Sequence, residues 1–296
     1  MNLEQVNRSV IMSSRQYVWL NGDFFRASQP AISLANRSFL YGDGFFETIH
    51  AYGTEPKYIH IHFARIAKSL SLLKIQPPAY LNAEFLSREI TRLLNKNRIF
   101  GSVQVRVTFY RAMGDSYTPV TNTLGIAMQT QPLPNDYYYL NPKGLVVDVF
   151  ADIRKPINII SSIKSCNAQL YVMAQLFKNE LGVDDCLLIN DQNRVIEAIS
   201  SNLFLVANGA IYTPSLDEGC VDGVMRSIVI DLAKTKGYTV NESVSIDPDM
   251  VVDADELFLT NAVLGIRWVV GLRQKRYFGT VSRKLSDALN AETFGV

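Results

Sequence analysis

The sequence predicts a two-domain protein, an α/β domain followed by a strand-rich one, and three observations carry that expectation. The chain has 296 residues, about twice the length of an ordinary single domain. Two Asn-Gly pairs, Asn21-Gly22 and Asn208-Gly209, each stand between apolar, β-prone runs, YVWL before DFFRA and LFLVA before AIYTP. Asn-Gly suits a two-residue turn with positive φ at both positions, so each pair marks a β-hairpin. The segment QPLPND, Gln131–Asp136, then interrupts the pattern with two prolines and a polar pair. It is expected to link a domain over 1–130 to a second over 137–296.

The remaining elements follow from periodicity. Strands are expected at Ser102–Phe109, Leu145–Phe150, Cys186–Ile189 and Glu256–Thr260, where short apolar runs are rich in β-branched and aromatic residues. In the helix expected at His62–Lys74, Ile66, Leu70 and Leu73 share a face. Phe85, Ile90, Leu93 and Leu94 do the same in Ala83–Asn97. Two further helices, Asn167–Leu181 and Val224–Lys236, each run into a glycine, Gly182 and Gly237, placed as a C-terminal cap. There is no internal repeat and no low-complexity segment.

Composition excludes several classes. With 48% hydrophobic and 19% charged residues, the chain can build an ordinary core. A net charge of +1 offers no broad basic field for nucleic acid or an anionic membrane. No apolar run reaches the roughly 20 residues of a membrane-spanning helix. Cys166, Cys186 and Cys220 form no CxxC pair and leave one over, so the expectation is buried, reduced thiols in a cytosolic protein. The opening MNLEQVNRSVIMSSRQ reads as a loose leader. His50, His60 and His62 make no HExxH; alternation on a strand would put His60 and His62 on one face, with no acid or cysteine nearby to complete a metal shell. No metal is expected.

Four features can carry chemistry. Lys164, in NIISSIKSCNAQ, follows an apolar stretch and precedes a helix; an amine partly desolvated there has a lowered pKa and can form a Schiff base. Most lysines are solvated surface groups, so the position alone decides nothing. Glu197, in NRVIEAISSNLFLV, can hold a ring nitrogen protonated, or simply face solvent from a strand. Gly223-Val224-Met225-Arg226 opens a helix, whose free amides and dipole suit a phosphate. Arg65, on the first turn of its helix, can grip a phosphate with two parallel hydrogen bonds.

Read together, these segments resemble the class IV aminotransferases, the fold-type IV enzymes of pyridoxal 5′-phosphate (PLP), which include branched-chain and D-amino acid aminotransferases and 4-amino-4-deoxychorismate lyases. The resemblance runs from about Tyr17 to Val270, with five motifs in order. NRSFLYGDGFFETI, Asn36–Ile49, is similar to the stretch beside the family's substrate pocket, which puts Tyr41 and Phe46 there. HFAR gives Arg65 the phosphate grip, and SIKSCNA gives Lys164 the Schiff base. EAISSNLF puts Glu197 at the pyridine nitrogen. VDGVMR is similar to the phosphate cup, with Val221 against the ring and Gly223, Val224 and Met225 around the phosphate. In TNAVLGI, Ala262 stands where many members have a threonine hydroxyl, so that contact comes from a backbone amide, from Asn261, or is missing. His50 stands where several members have arginine or lysine, and Asn36 and Ser38 replace the usual aspartate and glycine.

The resemblance implies an α/β N-terminal domain, a barrel-like C-terminal domain, PLP between them and a homodimer. It implies that Lys164 is the general base at the substrate Cα. Arg106 and Arg111, on and just after a strand, can each hold a substrate carboxylate or equally face solvent, and MGDSYTP, Met113–Pro119, reads as a loop that could cover the site, which composition alone does not establish. Transfer of an amino group from an amino acid to a 2-oxo acid is the expected reaction. The alternative is the lyase that releases p-aminobenzoate and pyruvate from 4-amino-4-deoxychorismate, to which TNAVLGI and GVMR are at least as similar as to the branched-chain enzymes. A non-catalytic PLP-binding protein is the third reading.

Overall fold

The computed structural model describes residues 16–29, 32–114 and 116–296. Apart from Gln16, the expected leader lies outside the described residues, as does Asp115 of MGDSYTP. The chain divides into two compact units, one ending at Asp136 and taking in Ser165–Asn167, the other comprising Tyr137–Lys164 and Ala168–Val296. Among the described residues no helix is long and apolar enough to cross a membrane.

The first unit is a six-stranded antiparallel sheet covered by helices. Its strands are β1 (Tyr17–Leu20), β2 (Asp23–Arg26), β3 (Gly44–Tyr52), β4 (Glu55–Pro56), β5 (Val103–Arg111) and β6 (Leu124–Pro132), in the order β2-β1-β6-β5-β3-β4. A short helix, α1 (Arg37–Tyr41), enters β3, while α2 (Ile59–Leu72) and α3 (Ala83–Asn97) supply the cover. Asn21 and Gly22 both take positive φ, 51° and 109°, as the hairpin requires. Alternation along β3 and β5 buries Phe45, Ile49, Val105, Val107 and Phe109. Phe46, Thr48 and Arg106 fall on the other face, where they are half-buried. The expected linker begins inside the fold: Gln131 and Pro132 end β6, pairing with Gln104 and Val103. A proline at a strand end costs the ladder little. His60 and His62 lie in α2, not on a strand. That helix begins three residues before His62, which places Arg65 in its second turn.

Arg37 organises the loop that follows β5. Its guanidinium ion-pairs with Asp43 at 2.7 Å and donates to the carbonyls of Gly114, Ser116 and Tyr117. Three carbonyls and a carboxylate match the fan of donors that only arginine offers.

The second unit is built on a closed barrel. Strands β7 (Leu145–Lys155), β8 (Asp185–Asn190), β9 (Val195–Ala198), β10 (Asn202–Ala207), β13 (Glu256–Asn261) and β14 (Gly265–Leu272) pair in a ring, completed where β9 meets β10. Outside it, β11 (Ala210–Pro214) and β12 (Val240–Val244) extend from β10, and β15 (Lys275–Arg276) pairs with β14. The interior is filled by aliphatic side chains: Val147, Leu187, Val195, Leu203, Leu257 and Val269 belong to one buried cluster. A barrel this small has room only for side chains.

Four helices complete the unit: α4 (Gln169–Leu181), α5 (Val224–Thr235), α6 (Pro248–Asp253) and α7 (Thr280–Phe294). The first packs on β7, β8 and β9, its Ala174 meeting Phe150, Leu188 and Ile196 in one buried cluster. Gly182 caps it in the left-handed conformation, φ 69°, as its position in the sequence implies. Buried Glu256 caps α7 from a distant strand, accepting from the amides of Thr280, Val281 and Ser282 at 2.9–3.3 Å. These amides have no partner within their own helix, and a carboxylate also favours the positive end of the helix dipole. Glu256→Ala is therefore expected to lower the unfolding free energy by about 2 kcal/mol, read as a lower denaturant midpoint with unchanged slope.

Candidate active site

The barrel interior is apolar, so polar chemistry falls on its outer surface. Alternation by itself would turn Glu197 inward, because Val195 points into the barrel. A β-bulge prevents this: Leu188 opposes Glu197 while Ile189 opposes Val195, which leaves Ile196 as an extra residue. A bulge of this kind re-aims the side chains beyond it. Glu197 thus comes level with Asn202 on β10 and, one strand further, with Thr260 on β13.

Glu197 is 2% exposed, and a carboxylate so buried needs donors. Among the described residues it has three. Lys155 Nζ, at the end of β7, donates to Oε1 at 2.6 Å, and the Tyr171 hydroxyl, on α4, donates to the same oxygen at 2.9 Å. The backbone N–H of Val221 donates to Oε2 at 2.8 Å. Burial and the neighbouring carboxylate push the Tyr171 phenol far above its ordinary value, so it stays protonated. A carboxylate has about four acceptor positions. Three are filled, and the fourth, on Oε2, remains.

Asn202 completes the arrangement by donating from Nδ2 to the Val221 carbonyl at 2.8 Å. Val221 is held at both its N–H and its C=O, and the next residues open α5. Gly223 is the N-cap of that helix and no side chain caps it. An added Cβ would lie 1.8 Å from Asn202 Oδ1, so any other residue here must displace that side chain. Val224 and Met225, in the first turn, are buried. The Lys164 segment is tied to the same place, because the Asp222 N–H donates to the Ser162 carbonyl at 3.2 Å. Asn261 ends β13; its Nδ2 donates to Ser201 Oγ at 3.0 Å, and its Oδ1 accepts from Val263 and Leu264 N–H. Ala262 follows it in the turn. Thr260 Oγ1, buried beside this turn, has no hydrogen-bond partner among the described residues. The second unit therefore brings Lys164, Glu197, Val221, Gly223, Val224 and Met225 onto connected segments.

The other expected residues belong to the first unit. Arg65 makes a two-pronged ion pair with Glu47, Nε to Oε1 at 2.8 Å and Nη2 to Oε2 at 2.6 Å. His62 Nδ1 lies 2.7 Å from Glu47 Oε2. Burial lowers the His62 pKa, so the ring is neutral and donates this hydrogen bond. Burial alone would raise the Glu47 pKa, but Arg65 and His62 together hold it down at about 2. His50 is 1% exposed and bonds Ser102 Oγ at 2.9 Å. Arg111 is taken up structurally: it pairs with Asp43 at 3.0 Å and donates to the carbonyls of Leu73 and Lys74 and to Asn122. Arg106 stands 3.5 Å over the ring of Phe46, a cation–π contact on the sheet face away from the buried row. The Tyr41 ring packs at 5.5 Å against Tyr117.

Lys155, Tyr171, Asn202, Thr260 and Glu47 were not singled out by the sequence. Glu47, Asn202 and Thr260 lay within the quoted motifs without a role of their own, and nothing in the sequence marked Lys155 or Tyr171. Of the cysteines, Cys186 and Cys220 are buried but Cys166 is half-buried.

Residues 44–272 match the family model for amino-transferase class IV. A protein of Methanocaldococcus jannaschii, whose name carries an inferred branched-chain-amino-acid aminotransferase activity, is 29% identical over 91% of this chain and 94% of its own. The aminodeoxychorismate lyase of Bacillus subtilis is 27% identical over 92% of each. Among solved structures, the T.th. branched-chain amino acid aminotransferase complexed with N-(5′-phosphopyridoxyl)-L-glutamate superposes with a TM-score of 0.82, at 25% identity and 93% coverage of both chains. The chain belongs to the class IV aminotransferase family, a family of PLP enzymes. Its residues fit that cofactor: a buried carboxylate with one open acceptor position, a helix start without a side-chain cap, and an unpartnered buried hydroxyl beside it.

Two outcomes follow. In Gly223→Ala the new methyl displaces Asn202 and loosens Val221, so PLP affinity should fall at least about tenfold, the equivalent of about 1.4 kcal/mol, in a fluorescence titration. Glu47 has a depressed pKa in the folded protein, so the stability it contributes is complete above its ordinary value of 4.5 and is lost as pH falls towards about 2. Melting temperature should drop across that window, and Glu47→Gln should remove that part of the pH dependence.

Proposed function

We propose that this protein transfers an amino group between a small amino acid and a 2-oxo acid, with PLP held on Lys164. The observation that carries the reading is the environment of Glu197: a buried anion with one acceptor position left, next to a helix start suited to phosphate. It rests also on family membership, which is common to transaminases and lyases.

Bound there, the cofactor supplies a protonated ring able to accept the electron pair left at the substrate Cα. Glu197 holds the proton at the ring nitrogen. The backbone amides at Gly223–Met225 bind the phosphate with the helix dipole behind them, and Arg65 adds a positive charge stiffened by Glu47. The turn at Asn261–Ala262 offers further amides. Val221 lies against the ring. Lys164 Nζ takes the Cα proton and returns a proton at the cofactor's C4′, acting as general base and then general acid. Arg106, over the ring of Phe46, is the candidate for the substrate carboxylate. We place the enzyme in the cytosol as a homodimer, on the family resemblance.

His50 favours amino transfer over elimination from aminodeoxychorismate. A dianionic substrate benefits from a cation, whereas this ring is buried against Ser102. Borohydride reduction and peptide mapping should place the pyridoxyl group on Lys164; another lysine would refute the cofactor assignment. Glutamate-dependent transfer to a panel of 2-oxo acids should then be measurable, and Lys164→Ala should abolish it. Rapid p-aminobenzoate release with no transfer to any 2-oxo acid would make the protein a lyase on the same site.

A further inference from the structure

Glu197 carries a cation of its own before any cofactor is considered. Lys155 Nζ lies 2.6 Å from Oε1, and the Lys155 side chain is 8% exposed against 3% for that of Glu197. An ion pair so far from water is weakly screened. It therefore acts on whatever Glu197 holds, with two separable consequences, one geometric and one electrostatic.

The geometric one concerns direction. Lys155 and the Tyr171 hydroxyl both donate to Oε1, at 2.6 and 2.9 Å, and saturate it. The Val221 N–H takes one position of Oε2. A single acceptor direction is left for a ring N–H. The electrostatic one concerns strength. An unpaired carboxylate would hold a pyridinium proton firmly, but one already neutralised by an ammonium group holds it less firmly.

The other groups near Glu197 do not offset this. Burial keeps Tyr171 a neutral phenol, on α4. Burial, and next the charge of Glu197, push the Cys220 thiol up to about 12, so it too is neutral. Arg226, on α5, spends its guanidinium on the carbonyls of Pro214 and Glu242, and Asp222 follows Val221 in the chain.

We propose that Lys155 is a positioning residue for the cofactor ring: its ion pair leaves Glu197 one acceptor direction and moderates the hold on the ring-nitrogen proton. The inference rests on the reading that Glu197 meets the pyridine nitrogen. It makes the electron sink of this enzyme adjustable from a residue that touches neither cofactor nor substrate.

The test uses the full-length protein loaded with PLP labelled with 15N at the ring nitrogen, whose NMR shift reports protonation directly. In the wild type the nitrogen should lose its proton within the pH range where the protein stays folded. In Lys155→Met that midpoint should rise by about one pH unit or more, the size expected when a close charge is removed. Lys155→Arg should return it near the wild-type value, which a purely structural role for Lys155 would not require. Lys155→Gln, which keeps a donor but no charge, should behave as Lys155→Met does and stands in should the latter fail to fold. An unchanged midpoint in the uncharged variants, or a wild-type nitrogen protonated over the whole range, overturns the proposal. Glu197→Gln separates the two levels. If it lowers the midpoint while the Lys155 variants do nothing, only this inference fails. If it too has no effect, Glu197 does not meet the ring nitrogen.

Discussion

The carboxylate of Glu197 must be satisfied where water cannot reach it, and much of the second unit is arranged around that requirement. Its donors come from Lys155, Tyr171 and Val221, which are 42, 26 and 24 residues away in sequence. They bring the end of a barrel strand, the face of a helix and the approach to another helix to one point. Each donor gains from the low local dielectric, and each would be costly to remove singly, since the anion would stay buried. The approach to α5 is consequently set by hydrogen bonds to Glu197 and Asn202, not by loop composition.

The first unit solves the same problem with different residues. Glu47, 1% exposed, lies between the cation Arg65 and the neutral donor His62. Glu197 lies between the cation Lys155 and the neutral donor Tyr171. In both cases one partner balances the charge and the other fills a lone pair without adding charge. Arginine suits the first site, where two parallel bonds fix its plane. Lysine suits the second, where one oxygen is shared with a phenol.

Much of the architecture was legible in the sequence because it rests on local signals. Both Asn-Gly turns, the Gly182 cap and the helix over Ala83–Asn97 are set by residues near one another. The Lys164, Glu197 and GVMR motifs were equally visible as short strings. What could not be read was pairing at a distance. Nothing in ADIRKP announces a partner for Glu197, and Arg111 looked as available as Arg106 until its donors proved to be spent on Asp43, Asn122 and two carbonyls at the end of α2. The segment Gln131–Asp136 shares its first two residues with β6, because prolines mark both loops and strand ends.

The bulge at Ile196 decides which way the carboxylate of Glu197 faces. With the extra residue in place, Ile196 and Glu197 both face outward and Val195 and Ala198 both face in. If that residue were kept and β9 paired in strict alternation from Val195, the carboxylate would turn into an apolar barrel. Substitutions at Ile196 that keep an apolar side chain leave that register alone. Moving the bulge along β9 does not, so its position is more constrained than the identity of the residue it holds.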